Sequence, residues 1–171
     1  QSATVVRIFT PFLGGTLNPR FRIVKTVRGS CFFGSPAAKR PDAWRCEPFA
    51  LDPCFENRAK PQPYVFCIPT PWSTAVTRIR LTRTLPGNVR NRNVAPARRQ
   101  SWGIELATGQ RCALVEGAPL EIGGRFFHYR CGSRGGAAAT KLNRNSATWM
   151  TLFVARGSRN PGWVAIRVAW V

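Results

Sequence analysis

Apolar and polar residues alternate in several stretches of the chain, and this alternation predicts β-strands. In the stretch VTRIRLTRTL (Val76–Leu85), Ile79, Leu81 and Leu85 fall on one face, while Arg78, Arg80, Thr82 and Thr84 fall on the other. No long stretch of the sequence places apolar residues at the i, i+3, i+4, i+7 spacing of an amphipathic helix. The pattern therefore predicts an all-β fold in which this strand has a basic outer face.

The C-terminal part of the sequence predicts successive hairpins. WGIELATGQRCALV has strand patterns on both sides of Thr108-Gly109, and PLEIGGRFFHYRC repeats this arrangement around Gly123-Gly124. A last pair of strand patterns, ATWMTLFVA and WVAIRVAWV, is joined by a stretch rich in Gly, Pro and Asn. Several short strands at regular spacing predict a mostly antiparallel sandwich or barrel with long loops held by disulfides.

Two segments lack a strand pattern. Prolines interrupt the chain after Gly29, so we expect residues 29–67 to form an irregular segment that disulfides hold in place. Residues 86–100 are polar and rich in arginine, and they predict a long basic loop. The residues before that loop contain few apolar strands with which to close a separate core. We therefore expect one domain over residues 1–171.

The cysteine content predicts disulfides. The chain has six cysteines, an even number, and no C-x-x-C spacing, and His128 is its single histidine. A zinc site would need closely spaced thiolates or several histidines, so we expect neither a metal nor another cofactor. Many connectivities are open to six cysteines, and we expect pairing between neighbours. The expected bridges are Cys31–Cys46, Cys54–Cys67 and Cys112–Cys131.

The disulfides also bear on the compartment, because they persist in oxidising surroundings outside the cytosol. The first residues, QSATVV, are typical of a mature N-terminus after removal of a signal peptide, and no apolar run reaches the ~18 residues that span a bilayer. We expect a secreted, soluble protein that resides outside the cell or at its surface.

Several motifs resemble one family of proteins. They are VRGSCFFGSPAAKRPDAWRCEPFALDPCF, WGIELATGQRC, FFHYRCG and the closing VAIRVAWV. From Val27 onward the chain is similar to secreted bacterial proteins, of the kind found in actinobacteria, with GSCW-like, DAxRC, DPCF and WxxELxxGxRC motifs. This sequence departs from the pattern at Phe32-Phe33, where the family has Trp after the cysteine. The resemblance implies secretion and the disulfide framework, and it implies no catalytic or binding residues.

The net charge predicts an anionic partner. Lys and Arg number 26 against seven Asp and Glu, which gives +19, and only four of the cations are lysines. Such an excess attracts polyanions, and arginine suits bidentate contacts to phosphate, sulfate and carboxylate. We expect an anion-binding surface from the strand at Val76 and the loop after it. Its arginines are Arg78, Arg80, Arg83, Arg90, Arg92, Arg98 and Arg99. The alternative is a solvated face that is basic only through composition.

Aromatic residues offer further contacts. Trp44 and Trp72 have prolines nearby, and we expect them to be exposed and available to a ligand. Trp149 and Trp170 lie in apolar strands, where burial in the core is the expected role.

Catalytic motifs are absent from the sequence. It contains no G-x-S-x-G, H-E-x-x-H or P-loop, and we expect His128, alone in an aromatic strand, to be structural. Glu105 and Glu121 could meet across strands, but pairing with arginine is the expected use of each carboxylate. We therefore expect a non-enzymatic binding protein for an anionic polymer or acidic protein surface, with non-specific nucleic-acid binding included.

Two other classes stay open. One is a structural subunit of an extracellular or cell-surface assembly, in which arginines meet acidic faces of neighbouring subunits. The other is a cell-wall or polysaccharide hydrolase, which would need a cleft with paired carboxylates. Steep weakening of binding by salt would separate polymer binding from a packed subunit interface.

Overall fold

The structure is a computed structural model that describes residues 1–91 and 93–171 of the chain. It confirms the all-β fold, because the helical structure in this part of the chain is a single 3-10 turn, Pro96–Arg98. The strands, in chain order, are β1 (Val5–Arg7), β2 (Phe12–Leu13), β3 (Thr16–Leu17), β4 (Arg22–Gly34), β5 (Ala43–Glu47), β6 (Leu51–Phe55), β7 (Tyr64–Cys67), β8 (Ala75–Leu81), β9 (Gly103–Leu106), β10 (Arg111–Leu114), β11 (Leu120–Ile122), β12 (Arg125–Phe127), β13 (Tyr129–Cys131), β14 (Ala137–Ala138), β15 (Met150–Val154) and β16 (Gly162–Trp170). Within the described ranges no helix has the length and apolar character that crossing a membrane requires.

The chain forms two compact units. The barrel unit comprises Phe9–Gln100, and the C-terminal unit comprises Gln1–Ile8 together with Ser101–Val171. Each unit has strands of its own. The expectation of one domain over residues 1–171 stays a prediction.

The barrel unit is a closed barrel of β4 to β8. The long strand β4 changes partner along its length. Its first part, Arg22–Gly29, pairs with β8 in parallel, and its last part pairs with β5 in antiparallel orientation. Strands β5 to β8 then follow one another as an antiparallel meander, which closes the barrel. Trp44, Val65 and Ile79 fill the interior beside two disulfides.

The expectation of an irregular segment over residues 29–67 is wrong, because most of this segment is in strands β4 to β7. Pro36 and Pro41 lie in the connection between β4 and β5, and Pro48 lies between β5 and β6, where no ladder hydrogen bond is lost. Pro53 does lie inside β6, and its carbonyl oxygen accepts from the N–H of Ile68. Pro36, Pro41 and Pro48 thus lie in connections between strands, and Pro53 does not prevent the formation of β6.

One glycine permits a close approach inside the barrel. A Cβ atom on Gly29 would lie 1.9 Å from the backbone oxygen of Glu47 and 2.8 Å from the Cδ atom of Pro48. Real side chains do not tolerate such distances, so the passage of β4 beside the turn after β5 requires glycine at this position.

The C-terminal unit is a sheet in the order β1-β16-β15-β14-β13-β10-β9, and β16 also pairs with β9. The three predicted hairpins are confirmed as the pairs β9–β10, β11–β12 and β15–β16. The turn between β11 and β12 has φ values of 57° and 71° at Gly123 and Gly124, as a two-residue hairpin turn requires. Trp149 and Trp170 are buried, as predicted.

All three expected disulfides are confirmed, and no free cysteine occurs in the described chain. Each bridge joins residues that face each other on neighbouring strands, for example Cys112 of β10 and Cys131 of β13. The bridges therefore fix strand pairs in register, in addition to restricting the unfolded chain.

Candidate anion-binding surface

The outer face of β8 carries the first predicted arginines. Ile79 is fully buried, whereas Arg80 is exposed and Arg78 is half-buried, as the alternation predicts. In the parallel pairing with β4, Arg80 lies beside Arg28. On the other side, Arg80 is in register with Tyr64 of β7. The barrel thus brings two arginines from different strands side by side on its outer surface.

Two contacts orient Arg78. Its guanidinium carbon lies 4.9 Å from the centre of the Tyr64 ring, and its Nε donates to the Thr26 hydroxyl at 3.3 Å. A guanidinium stacked on an aromatic ring gains a cation–π attraction and still directs its N–H groups outward in the plane of the fork. Arg78 is therefore held against the sheet in an orientation that suits an oxyanion.

Two exposed phenylalanines form cation–π contacts with further arginines. Phe32 and Phe33 are 54% and 41% exposed, and they follow each other near the end of β4. Arg83 lies over Phe32 at 6.0 Å, while Arg45 and Arg90 lie over Phe33 at 5.7 and 5.4 Å. These rings connect arginines that are far apart in the sequence.

A β-bulge explains why both rings are exposed. The pairing of β4 with β5 shifts register between Cys31 and Phe33, and this shift breaks the strict alternation of faces. Without the bulge, Phe33 would share the buried face of Cys31.

Carboxylates are scarce near this surface. The barrel unit has four, namely Asp42, Glu47, Asp52 and Glu56, against 16 Lys and Arg. Asp42 forms an ion pair with Arg40, and Glu47 accepts from the backbone N–H of Ala50. Among the described residues, no carboxylate forms an ion pair with Arg78, Arg80, Arg83 or Arg90. The surface therefore retains a high local density of positive charge.

The seven predicted arginines do not all belong to one cluster. Arg99 lines a small pocket with Arg40 and Arg58, while Arg98 is exposed at the end of the 3-10 turn. Arg92 lies outside the described residues. The structure thus joins Arg78 and Arg80 on one strand face, and it joins Arg83 and Arg90 to the adjoining phenylalanines.

The predicted exposure of Trp44 is wrong. Trp44 is only 2% exposed and packs in the barrel core with the disulfide cysteines, because its side chain lies on the inner face of β5. Trp72 is half-buried. The exposed aromatic side chains beside the arginines are Phe32 and Phe33, which the sequence analysis did not assign to the site. Two successive aromatic residues in one strand were a usable signal, because both cannot point inward in a regular strand.

A cleft of about 660 Å³ lies in the same unit. Its lining includes Glu56, Gln62, Leu81, Arg83 and Leu85. Burial raises the pKa of Glu56, against the opposing effects of its hydrogen-bonding and cationic neighbours. Within the described lining Glu56 is the single carboxylate, whereas glycoside hydrolysis ordinarily uses a pair. Arg83 connects this cleft with the ring of Phe32.

The C-terminal unit holds the other candidates for chemistry. Nδ1 of His128 lies 2.7 Å from the Thr140 hydroxyl, which donates to the Phe126 carbonyl oxygen at 3.0 Å. The expected pairing of Glu105 with arginine is confirmed, because this buried carboxylate bonds Arg111 at 3.4 Å and also contacts Arg167.

Arg167 reaches Glu105 because the pairing of β16 with β9 shifts register between Ile166 and Val168. Glu121 is exposed in β11 and pairs across that hairpin with Phe126, so it has no ladder position beside β9.

Comparisons with known proteins add no assignment. No protein-family model matches the sequence, and neither a curated protein nor a solved structure matches it. The resemblance to secreted actinobacterial proteins therefore stays a prediction.

Proposed function

We propose that the barrel unit binds an anionic polymer outside the cell without catalysing a reaction on it. The binding site is the arginine–aromatic surface, which we define as Arg28, Arg45, Arg78, Arg80, Arg83 and Arg90 together with Phe32, Phe33 and Tyr64. The observation that carries the proposal is the stacking of arginines on exposed or half-buried rings at 4.9–6.0 Å.

The stacked arrangement favours an anion for a physical reason. Like charges at this density repel one another, so the surface costs stability until an anion is shared between them. Arg28 and Arg80 are in register on neighbouring strands, and no acidic side chain of the described chain forms an ion pair with either. A polymer of phosphate, sulfate or uronate groups would neutralise several of these guanidiniums at once.

The compartment restricts the choice of polymer. Three disulfides and the lack of a membrane-crossing helix in the described chain are compatible with secretion. We infer that the protein acts outside the cell or at its surface, where teichoic-acid-like polymers, acidic polysaccharides and released DNA are present. Binding to nucleic acid at this surface would be non-specific, because phosphate contacts carry no sequence information.

The alternative function is that of a subunit in an extracellular assembly, and one feature favours it. The first part of β4 pairs with β8 alone, so no described strand pairs along its other edge. Ile23 and Val24 are exposed there. An edge strand of this kind can accept a strand from a neighbouring chain, although its positive charges oppose pairing with a second copy.

The test is heparin and duplex DNA binding over a series of salt concentrations. The surface variant replaces Arg78, Arg80, Arg83 and Arg90 with Gln. Its matched control replaces four exposed cations of the C-terminal unit with Gln, namely Arg125, Arg134, Lys141 and Arg159. Both variants lose four positive charges.

We expect the surface variant to bind more weakly and to lose up to about 0.9 units of the log–log salt slope for each lost phosphate contact on duplex DNA. The control should retain most of the affinity and slope. Equal losses in the two variants would mean that only total charge matters, and the proposed surface would be refuted. Association of the protein with itself that persists at high salt without polymer would favour the subunit hypothesis instead.

A further inference from the structure

A second, smaller cationic site lies in the barrel unit. It is a pocket of about 210 Å³, lined by Arg40, Pro41, Asp42, Arg58, Asn93 and Arg99. Pockets for drug-sized ligands usually measure about 300–1,000 Å³, so this one suits a single small group. The described lining carries three guanidiniums and one carboxylate, and these groups sum to two net positive charges around a concave space.

Arg40 is the fixed wall of this pocket. It is 8% exposed, and its Nε and Nη2 donate to the two carboxylate oxygens of Asp42 at 2.9 and 2.8 Å. Its Nη1 donates to the carbonyl oxygen of Phe9 at 2.6 Å. The ring of Phe55 lies 5.2 Å from the guanidinium carbon. These contacts prevent Arg40 from moving away from the other cations that line the pocket.

Arg99 is also held in place. Its Nε donates to the Val94 carbonyl oxygen at 2.8 Å, and its Nη2 donates to Asn93 Oδ1 at 3.4 Å. Burial, and secondly the positive charge of Arg40, lower the pKa of Arg99, while Asp42 opposes this effect. Arg40 and Arg99 therefore bear like charges that repel each other at a site where Asp42 forms a bidentate ion pair with Arg40.

Arg58 supplies the movable part. It is exposed, and among the described residues it has no ion pair or side-chain hydrogen bond. An exposed arginine at the rim can close over a bound group, because its long side chain keeps its rotational freedom.

We propose that this pocket binds one tetrahedral oxyanion, either free phosphate or sulfate or the same group on a monoester. A tetrahedral oxyanion presents several acceptor oxygens, and guanidinium forks bind such oxygens with paired N–H donors. The anion would offset the repulsion between Arg40 and Arg99. This site is separate from the arginine–aromatic surface and does not depend on polymer binding.

The experiment is isothermal titration of the disulfide-bonded full chain with inorganic phosphate and with sulfate, at ionic strength held constant by sodium chloride. We expect saturable binding of one ion. Arg99→Gln should weaken it about tenfold or more, the scale of one lost charge-assisted hydrogen bond. Arg98→Gln is the matched control, because Arg98 is the preceding residue, carries the same charge and does not line the pocket. Its affinity should be unchanged.

A second pocket variant, a second ligand and the surface variant complete the test. Arg58→Gln alters an exposed side chain, so it should fold normally and should also weaken phosphate binding. Titration with glycerol 3-phosphate distinguishes the sources, because binding equal to that of phosphate identifies monoester groups and loss of binding identifies the free ion. The quadruple variant of the arginine–aromatic surface should still bind phosphate, so failure of polymer binding leaves this proposal standing. No saturable binding above the chloride background, or equal weakening by Arg98→Gln and Arg99→Gln, would overturn it.

Discussion

Asp52 should make the stability of the protein depend on pH in a direction opposite to that of most carboxylates. It lies in β6, where Oδ1 accepts from the hydroxyl of the fully buried Ser35. Burial raises the pKa of Asp52 from 3.8 to about 6, although Ser35, the backbone of Ala37 and the charge of Arg45 each act to lower it. The folded state therefore holds a proton on Asp52 more tightly than the unfolded state does.

The sign and size follow from linkage. Because the folded pKa lies above the unfolded value, the contribution of Asp52 is greatest at low pH and is lost as pH rises through about 6. At pH 8 the carboxylate is ionised in both states, so the folded and unfolded states bind the same number of protons at this site. At pH 5 it is mostly protonated in the folded state and mostly ionised in the unfolded state. The free energy of unfolding at pH 5 should therefore exceed that at pH 8 by about 1.4 kcal/mol, which is the equivalent of one pKa unit.

Urea unfolding of the wild type and Asp52→Asn, at several pH values from 5 to 8 and fixed ionic strength, measures this term. The difference in unfolding free energy, wild type minus variant, should rise by about 1.4 kcal/mol as pH falls from 8 to 5, because other titrating groups cancel. Ser35→Ala removes a donor to the ionised carboxylate, so it should move the transition to higher pH. A difference that stays constant across this range, or that falls with decreasing pH, would refute the reasoning.

Two further predictions concern the packing of each unit. Replacing both Cys112 and Cys131 with Ser should lower the free energy of unfolding by about 3 kcal/mol, because the bridge spans a sequence separation of 19; unchanged urea unfolding would contradict it. Gly29→Ala should destabilise by about 3 kcal/mol, because the added Cβ would meet the Glu47 backbone oxygen. Gly87→Ala is its control, since the nearest atom would lie 3.9 Å away, and equal thermal unfolding of the two variants would show that the close approach is unimportant.

The hairpins of the C-terminal unit could be predicted because their information is local. Gly123-Gly124 supplies the turn conformation, and alternating residues on both sides supply the strands. The barrel could not be predicted in this way, because β4 pairs in parallel with β8 and then in antiparallel orientation with β5. No local pattern in β4 indicates that the strand changes its pairing partner. The pairing with β8 also joins residues about fifty positions apart in the chain.

The candidate site shows the same division between local and non-local information. Arg78 and Arg80 were predictable because two-residue periodicity sends both away from the buried Ile79. The pocket around Arg99 was not, because it joins Arg99 to Arg40, a residue 59 positions earlier in the sequence. Sequence proximity to Arg98 therefore said little about the surroundings of Arg99.

Whether the alternation of faces holds along the strand decides where Trp44 and Phe33 point. Trp44 lies two residues before Cys46, and both side chains are buried with Cys31 in the same cluster. A core disulfide thus indicates which face of its strand points inward, and this rule would have placed Trp44 correctly. Applied to Phe33, two residues after Cys31, the same rule predicts burial and is wrong, because the bulge intervenes. The exposed ring on which Arg45 and Arg90 stack therefore depends on a backbone irregularity that residue periodicity alone does not reveal.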